Sequence, residues 1–322
     1  MRVPLPAAMM TTSIFDMYGV SSLTKIINHH LASLWRVVKP VFLGHLLVLS
    51  GCSLVVPGYN NAPNLLMFLW INPHVDLNSA QEKQTLADLQ TVLEWHRQQQ
   101  LPLYADWLKT MQQLATQDVT AEQVCQMAQS ITDSLDPLVD QFEEPLTRLS
   151  LTLTSAQLQT LKKKYQQDLK DYRKEWKLDA SAEDQLDVQV DKGQANAERF
   201  YGRLSPSQKK LLRQLAQNSG YEAQRTFAER ERQQRESLAM HTRIVQNRSN
   251  AEEARALVRQ WLQSSLHSAD PDYAAYLKKR KQLNCEATAR FHNNTTTEQR
   301  ERAVKVLKGY EEDVRGLMRS KS

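Results

Sequence analysis

The fold class is decided by residues 153–176, LTSAQLQTLKKKYQQDLKDYRKEW. Thr154 stands three residues before Gln157, a spacing at which each side chain can bond the other residue's free backbone N–H group and start a helix. Apolar side chains then recur every three or four residues on one stripe: Leu158, Leu161, Tyr165, Leu169, Tyr172 and Trp176. This pattern predicts a long helix with one buried face.

The same start signal recurs along the chain, at Asn78 with Gln81, Thr120 with Gln123, Ser205 with Gln208, Asn250 with Glu253, and Thr296 with Gln299. The sequence has no run of alternating β-branched residues and no Asn-Gly or Asp-Gly turn, which are the signals of strands and hairpins. We therefore predict an all-α fold of about nine helices, packed as an antiparallel array because the connections are short. The first three are expected near residues 79–99, 102–116 and 121–149, the last interrupted or kinked at Pro137 and Pro145.

The N-terminal part of the chain has the features of an export signal. LSGC at residues 49–52 follows the apolar run Val41–Leu49, and two basic residues precede that run. The motif resembles the lipobox of bacterial lipoproteins, which implies cleavage between Gly51 and Cys52 and acylation of Cys52. The apolar run is too short to span a membrane, since a spanning helix needs about 20 residues. The alternative is a buried helix start in a soluble protein.

This interpretation divides the chain into a signal peptide at residues 1–51, a lipid-anchored tether at 52–78 and a helical domain at 79–322. Export signals have about 15–30 residues, so we expect an over-extended N-terminus, with translation starting near Leu31 or Leu34. Ser53 behind the cysteine implies, for lipoproteins of this type, sorting to the outer membrane with the domain facing the periplasm.

The net charge of the chain argues against nucleic acid as a partner. The formal net charge is +5, but residues 1–51 hold four Lys or Arg and one Asp, so most of the excess would leave with the signal. A nearly neutral mature chain gives no reason to expect nucleic-acid binding. The expected partners are membrane lipid, through the acylated Cys52, and an envelope protein of unknown identity.

The sequence contains no recognisable catalytic group. The histidines after Cys52 are isolated, and no HExxH pair, GxSxG elbow, phosphate-binding glycine loop or CxxC motif is present. We predict no enzymatic activity, no catalytic residue, no cofactor and no metal site, although a site assembled from distant residues stays open. Cys125 and Cys285 form an even pair, either a disulfide in an oxidising compartment or two separate buried thiols.

Two clusters of aromatic and basic residues are the candidate binding surface for a partner. They consist of Trp95, His96 and Arg97 in one segment and Arg199, Tyr201 and Arg203 in another. Arginine beside aromatic rings can stack on them or bind a carboxylate through two hydrogen bonds. The alternative is that these arginines form ion pairs between helices around buried aromatic side chains.

Four features together resemble an uncharacterised family of Gram-negative helical lipoproteins. They are LSGCS at residues 49–53, YN at 59–60, WHR at 95–97 with LP at 101–102, and RFYGRLSPSQ at 199–208. That family has no established activity, so the resemblance implies location and fold only. LTSAQ at 153–157 and LSPSQ at 204–208 are also similar to the LTxxQ motif of periplasmic helical chaperones related to Spy and CpxP.

The leading hypothesis is therefore a non-enzymatic, lipid-anchored envelope protein that binds or scaffolds a partner. The alternative is a chaperone-like module that holds exported clients.

Overall fold

The computed structural model describes residues 55–247 and 250–320, with side chains described from residue 58 onward. Within these residues every regular element is helical. In chain order the α-helices are α1 (Val55–Asn60), α2 (Ala62–Leu66), α3 (Asn72–Val75), α4 (Ser79–Trp95), α5 (Leu101–Leu114), α6 (Ala121–Asp133), α7 (Asp136–Thr152), α8 (Ser155–Glu175), α9 (Ala182–Tyr201), α10 (Pro206–Gln217), α11 (Ala223–Asn247), α12 (Ala251–Leu266), α13 (Pro271–His292) and α14 (Thr297–Arg319). Short π-helical segments, Met67–Ile71 and His96–Gln100, join α2 to α3 and α4 to α5.

The all-α prediction is confirmed, and the described part of the chain contains eleven longer helices, α4 to α14, instead of about nine. The expected break before residue 102 is absent, because the chain continues through the π-helical segment and Pro102 lies in the first turn of α5, where a missing N–H is tolerated. The expected helix at residues 121–149 is two helices, and Pro137 lies in the first turn of the second. Pro145 lies inside α7 and does not end it.

Helices that are distant in sequence pack against one another in a nested order. The chain folds back at α9 and α10, which pack together. Outside this pair, α8 packs on α11, α7 on α12, α6 on α13 and α5 on α14. The array therefore depends mainly on long-range pairs, whereas we expected antiparallel packing of sequential neighbours.

The largest apolar core lies where α5, α9 and α14 meet, around Leu108, Phe200, Leu307 and Val314. Leu108 and Val314 are completely buried. The end of α14 lies beside the junction of α4 and α5, where the first predicted aromatic and basic cluster is found. The start of α14 lies beside the end of α9, where the second cluster is found.

The segment expected to be a tether is helical from Val55 onward, and only its first residues lie outside the described part of the chain. Met67 and Val75 are buried in a core cluster with Leu153, which follows α7, and Leu158 in the first turn of α8. Such docking limits the freedom of the segment relative to the domain. None of the described helices combines the length and the apolar character that crossing a membrane requires.

Candidate functional site

The first predicted cluster lies at the junction of α4 and α5. Arg97 is only 9% exposed; its Nη1 donates to the carbonyl oxygen of Ser320 at 2.7 Å and its Nη2 to Oδ1 of Asn60 at 2.8 Å. Its guanidinium also lies over the Tyr59 ring, 5.4 Å from the ring centroid. The Tyr59 hydroxyl is 2.8 Å from Nδ1 of His96, and burial lowers the pKa of His96 to about 4. Arg97 thus joins the end of α1 to the end of α14.

The second predicted cluster contains one buried residue and two exposed ones. The Tyr201 hydroxyl lies 2.9 Å from Nδ1 of His292, and burial raises the pKa of Tyr201. Nε2 of His292 faces the carbonyl oxygen of Gln117 at 2.9 Å, so Nε2 donates and Nδ1 accepts the tyrosine proton. Arg199 and Arg203 are exposed, and neither forms an ion pair within the described residues.

The two clusters do not form one surface. Arg97 bonds Ser320 beyond the end of α14, whereas the carbonyl oxygen of Arg203 accepts from Nε2 of Gln299 in the first turn of that helix. An α-helix rises about 1.5 Å per residue, so Ser320 and Gln299 are about 30 Å apart along α14. Trp95 and His96 are half-buried beside Arg97, and Tyr201 is buried; the polar atoms of His96 and Tyr201 are bonded to Tyr59 and His292 within the domain. The aromatic side chains of the alternative are buried or half-buried, but within the described residues Arg97, Arg199 and Arg203 do not form the ion pairs between helices that it expects.

The two exposed arginines of the second cluster, Arg199 and Arg203, lie close to a third exposed arginine, Arg302, at the end of α9. Gly202 ends α9 with a φ of +75°, and a Cβ there would lie 3.0 Å from Cδ of Arg302. Arg302 therefore lies against the turn that carries Arg199 and Arg203, and it is also exposed without an ion pair in the described chain. We call Arg199, Arg203 and Arg302 the arginine patch.

The two segments similar to the LTxxQ motif act as helix caps. In each, the Thr or Ser oxygen accepts from the backbone N–H of the Gln three residues later. Nε2 of Gln157 donates to Oε1 of Gln81 at 2.7 Å, and Nε2 of Gln208 donates to Oε1 of Gln299 at 2.6 Å. The partner glutamines belong to the caps of α4 and α14. Two pairs of capping boxes thus join α8 to α4 and α10 to α14.

Cys125 in α6 and Cys285 in α13 form a disulfide, with their Cα atoms 5.4 Å apart. The bond joins one of the nested helix pairs and closes a separation of 160 residues. Cys285 is 2% exposed and packs in an apolar cluster with Val119, Val124 and Ala289.

A cavity of about 240 Å³ lies between α9, α10 and α13, with α5 and α14 at its inner end. The apolar side chains of this inter-helical cavity include Met111, Leu114, Val124, Phe200, Leu212, Leu215, Phe291 and Leu307. At the other end lie Trp176, Lys192, Tyr221 and Arg280. Gly193 is part of the wall, and a Cβ there would meet no atom within 4 Å.

The described residues contain no group of three His, Cys, Asp or Glu side chains placed to hold a metal ion. The predicted cleavage and lipidation residues, Gly51 and Cys52, lie outside the described residues.

These features define an all-α protein whose helices pair in nested order beside an inter-helical cavity. The chain belongs to DUF6279, a family of unknown function that matches residues 73–273. No curated protein and no solved structure matches the chain. The resemblance to an uncharacterised family is thus confirmed, while lipoprotein status and similarity to LTxxQ chaperones stay predictions.

Proposed function

We propose that the protein is exported, is anchored to the outer membrane through an acylated Cys52, and binds an envelope partner on its periplasmic side without catalysing a reaction. The observation that carries the proposal is the disulfide between Cys125 and Cys285. Disulfides persist in oxidising compartments such as the bacterial periplasm and are rare in the cytosol. With two of the three cysteines bonded to each other, Cys52 is the remaining one, and it stands in the LSGC motif.

The start of the helical region is consistent with such an anchor. Helix α1 begins at Val55, so little chain separates it from Cys52. Phe68 and Trp70 follow in the same docked segment and are 63% and 49% exposed. Tryptophan is enriched at membrane–water interfaces because its ring is amphipathic, and Phe68 adds exposed apolar surface beside it. These features support a domain held close to the lipid surface rather than on a long tether.

Replacing Cys52 by Ala is expected to abolish lipid attachment. The acyl chains each contribute about 0.8 kcal/mol per buried CH₂, so their loss releases the domain or leaves an uncleaved precursor. The measurement is labelling of intact cells with radioactive palmitate, followed by fractionation of the membranes. Arg235→Ala, an exposed substitution that leaves both the LSGC motif and the disulfide intact, serves as the control. Equal labelling of wild type and Cys52→Ala would contradict the proposal.

The arginine patch is the surface that supports partner binding best. Its three guanidinium groups are exposed, and none is neutralised by a carboxylate of the described chain. Arginine binds carboxylates through two parallel hydrogen bonds, so the patch fits an acidic segment of a partner protein. Arg97, by contrast, is already bonded within the domain.

The triple variant Arg199→Ala/Arg203→Ala/Arg302→Ala is expected to weaken crosslinking to the partner in intact cells. Its Tm should change little, because exposed substitutions usually alter stability by less than about 0.5 kcal/mol. Arg235→Ala is the matched control, since the Arg235 side chain is 67% exposed on another helix.

Mass spectrometry of the crosslinked products should give one or two stoichiometric partners. Many unfolded outer-membrane precursors would instead support the chaperone alternative, and unchanged crosslinking would remove the patch as the binding surface.

A further inference from the structure

Arg280 in α13 is a buried cation without a matching anion. It is 7% exposed, forms no ion pair among the described residues, and its Nε has no hydrogen-bond partner. Its guanidinium carbon lies 4.6 Å from the ring centroid of Tyr221 and 5.6 Å from that of Tyr276. Aromatic faces stabilise a cation only in part, and burial of an uncompensated charge is strongly unfavourable. The position is therefore suited to an anion that the chain itself does not supply.

The other charges near this end of the inter-helical cavity leave one positive charge in excess. Lys192 also lines the cavity, but its Nζ is bonded to Oε1 of Glu175 at 2.7 Å and lies 4.9 Å from the Trp176 ring centroid. Arg280 also borders a second, outer pocket, where Glu222 forms an ion pair with Arg225 at 3.8 Å and where neither Glu222 nor Asp272 forms an ion pair with Arg280 among the described residues. The excess charge is thus that of Arg280.

The cavity continues from this cation into an apolar region. Arg280 and Phe291 both line it from α13, and eleven residues of helix separate them by about 16 Å. Asn284, one turn after Arg280, lines the same polar end. An apolar cavity of about 150 Å³ accommodates benzene, so about 240 Å³ suits a longer apolar body.

We propose that the inter-helical cavity binds an anionic amphiphile, with one carboxylate on Arg280 and an unbranched hydrocarbon chain directed along α13 toward Phe200 and Phe291. A carboxylate matches the geometry and the single excess charge of the guanidinium, and a hydrocarbon chain matches the apolar wall. This inference goes beyond the proposed function and does not depend on acylation of Cys52 or on a protein partner.

The test uses the full chain carrying Cys52→Ala, with the Cys125–Cys285 bond formed, and measures binding of decanoate by isothermal titration calorimetry. Decanoate should bind at least about tenfold more tightly than 1-decanol, which has the same chain without the charge, since a charge-assisted hydrogen bond contributes about that factor or more. Acetate, which has the charge without the chain, should not bind measurably. Equal affinities for decanoate and 1-decanol would overturn the role of Arg280, and no binding of decanoate would overturn the site.

Two variants locate the binding within the cavity. Arg280→Gln should reduce decanoate affinity to that of 1-decanol, and Arg280→Lys should restore part of the difference. Gly193→Leu should abolish binding of both ligands, because a Cβ at this position of the cavity wall meets no atom within 4 Å and the larger side chain would occupy the space of the ligand. Gly309→Leu is the matched control: Gly309 is also within a helix, also has no atom within 4 Å of a Cβ, and is not in the cavity wall. Binding by Gly193→Leu at wild-type strength would contradict the proposal even if Arg280→Gln failed to fold.

Discussion

The double variant Cys125→Ala/Cys285→Ala is expected to lose about 5 kcal/mol of unfolding free energy, because the lost bond closes a loop of 160 residues. In the chain-entropy model, long loops lose the most conformational freedom in the unfolded state. The bond also joins α6 to α13 at a buried, apolar position, so its loss removes packing as well as a constraint. A stability of about 5–15 kcal/mol is typical of whole domains, so the variant should be close to its unfolding limit.

Thermal unfolding followed by circular dichroism checks this prediction. The variant should melt about 10 °C below the wild type, at roughly 2 °C per kcal/mol for a chain of this size. Dithiothreitol should lower the Tm of the wild type to that of the variant and leave the variant unchanged. Cys52→Ala is the control and should keep the wild-type Tm under oxidising conditions. Equal melting of wild type and double variant would show that the bond contributes nothing to stability.

The helices could be predicted from the sequence because their start signals are local. Asn78, Thr120, Thr154, Ser205 and Thr296 all cap helices with the Gln three residues later, as their spacing indicates. A capping box depends on four consecutive residues, so no knowledge of distant contacts is needed.

The order in which the helices pack could not be predicted in this way. The pairing of α6 with α13, which brings Cys125 to Cys285, depends on contacts between residues that are far apart in the chain. The apolar stripe of each helix gives the face that is buried but not the helix that covers it. For the same reason the sequence left the disulfide open as one of two alternatives.

The aromatic and basic clusters show the corresponding limit for function. The sequence placed Arg97 and Arg199 in one class, but Arg97 is buried against Ser320 and Asn60 whereas Arg199 is exposed. Local sequence does not distinguish an arginine that joins the ends of two helices from one that faces solvent. Arg280 was missed altogether, although Tyr273, Tyr276 and Arg280 have the three- and four-residue spacing of one helix face.

His241 is a second large contribution to stability, and it depends on pH. It lies in α11, is 6% exposed, and its Nδ1 has no hydrogen-bond partner. Burial lowers the pKa of His241 from 6.5 to about 4. The unfolded chain therefore binds a proton at higher pH than the folded one. The contribution of His241 is complete above pH 6.5 and is lost as the pH falls toward 4, by about 3 kcal/mol in total.

Replacing His241 by Leu is expected to remove this pH dependence while keeping a side chain of similar size. The measurement is the unfolding free energy from urea titrations at several pH values between 7.5 and 4. The wild type should lose about 3 kcal/mol more than the variant over this range, and a difference that is constant with pH would reflect packing alone. Burial also lowers the pKa of His96 to about 4, so His96 adds the same decrease in unfolding free energy to both proteins. Burial raises the pKa of Glu143, but hydrogen bonds from Arg255 and Arg259 bring it below the ordinary value of 4.5. The stability that ionised Glu143 contributes is therefore lost mainly at pH values below this range. Parallel curves for wild type and His241→Leu would show that His241 does not titrate as a buried neutral side chain.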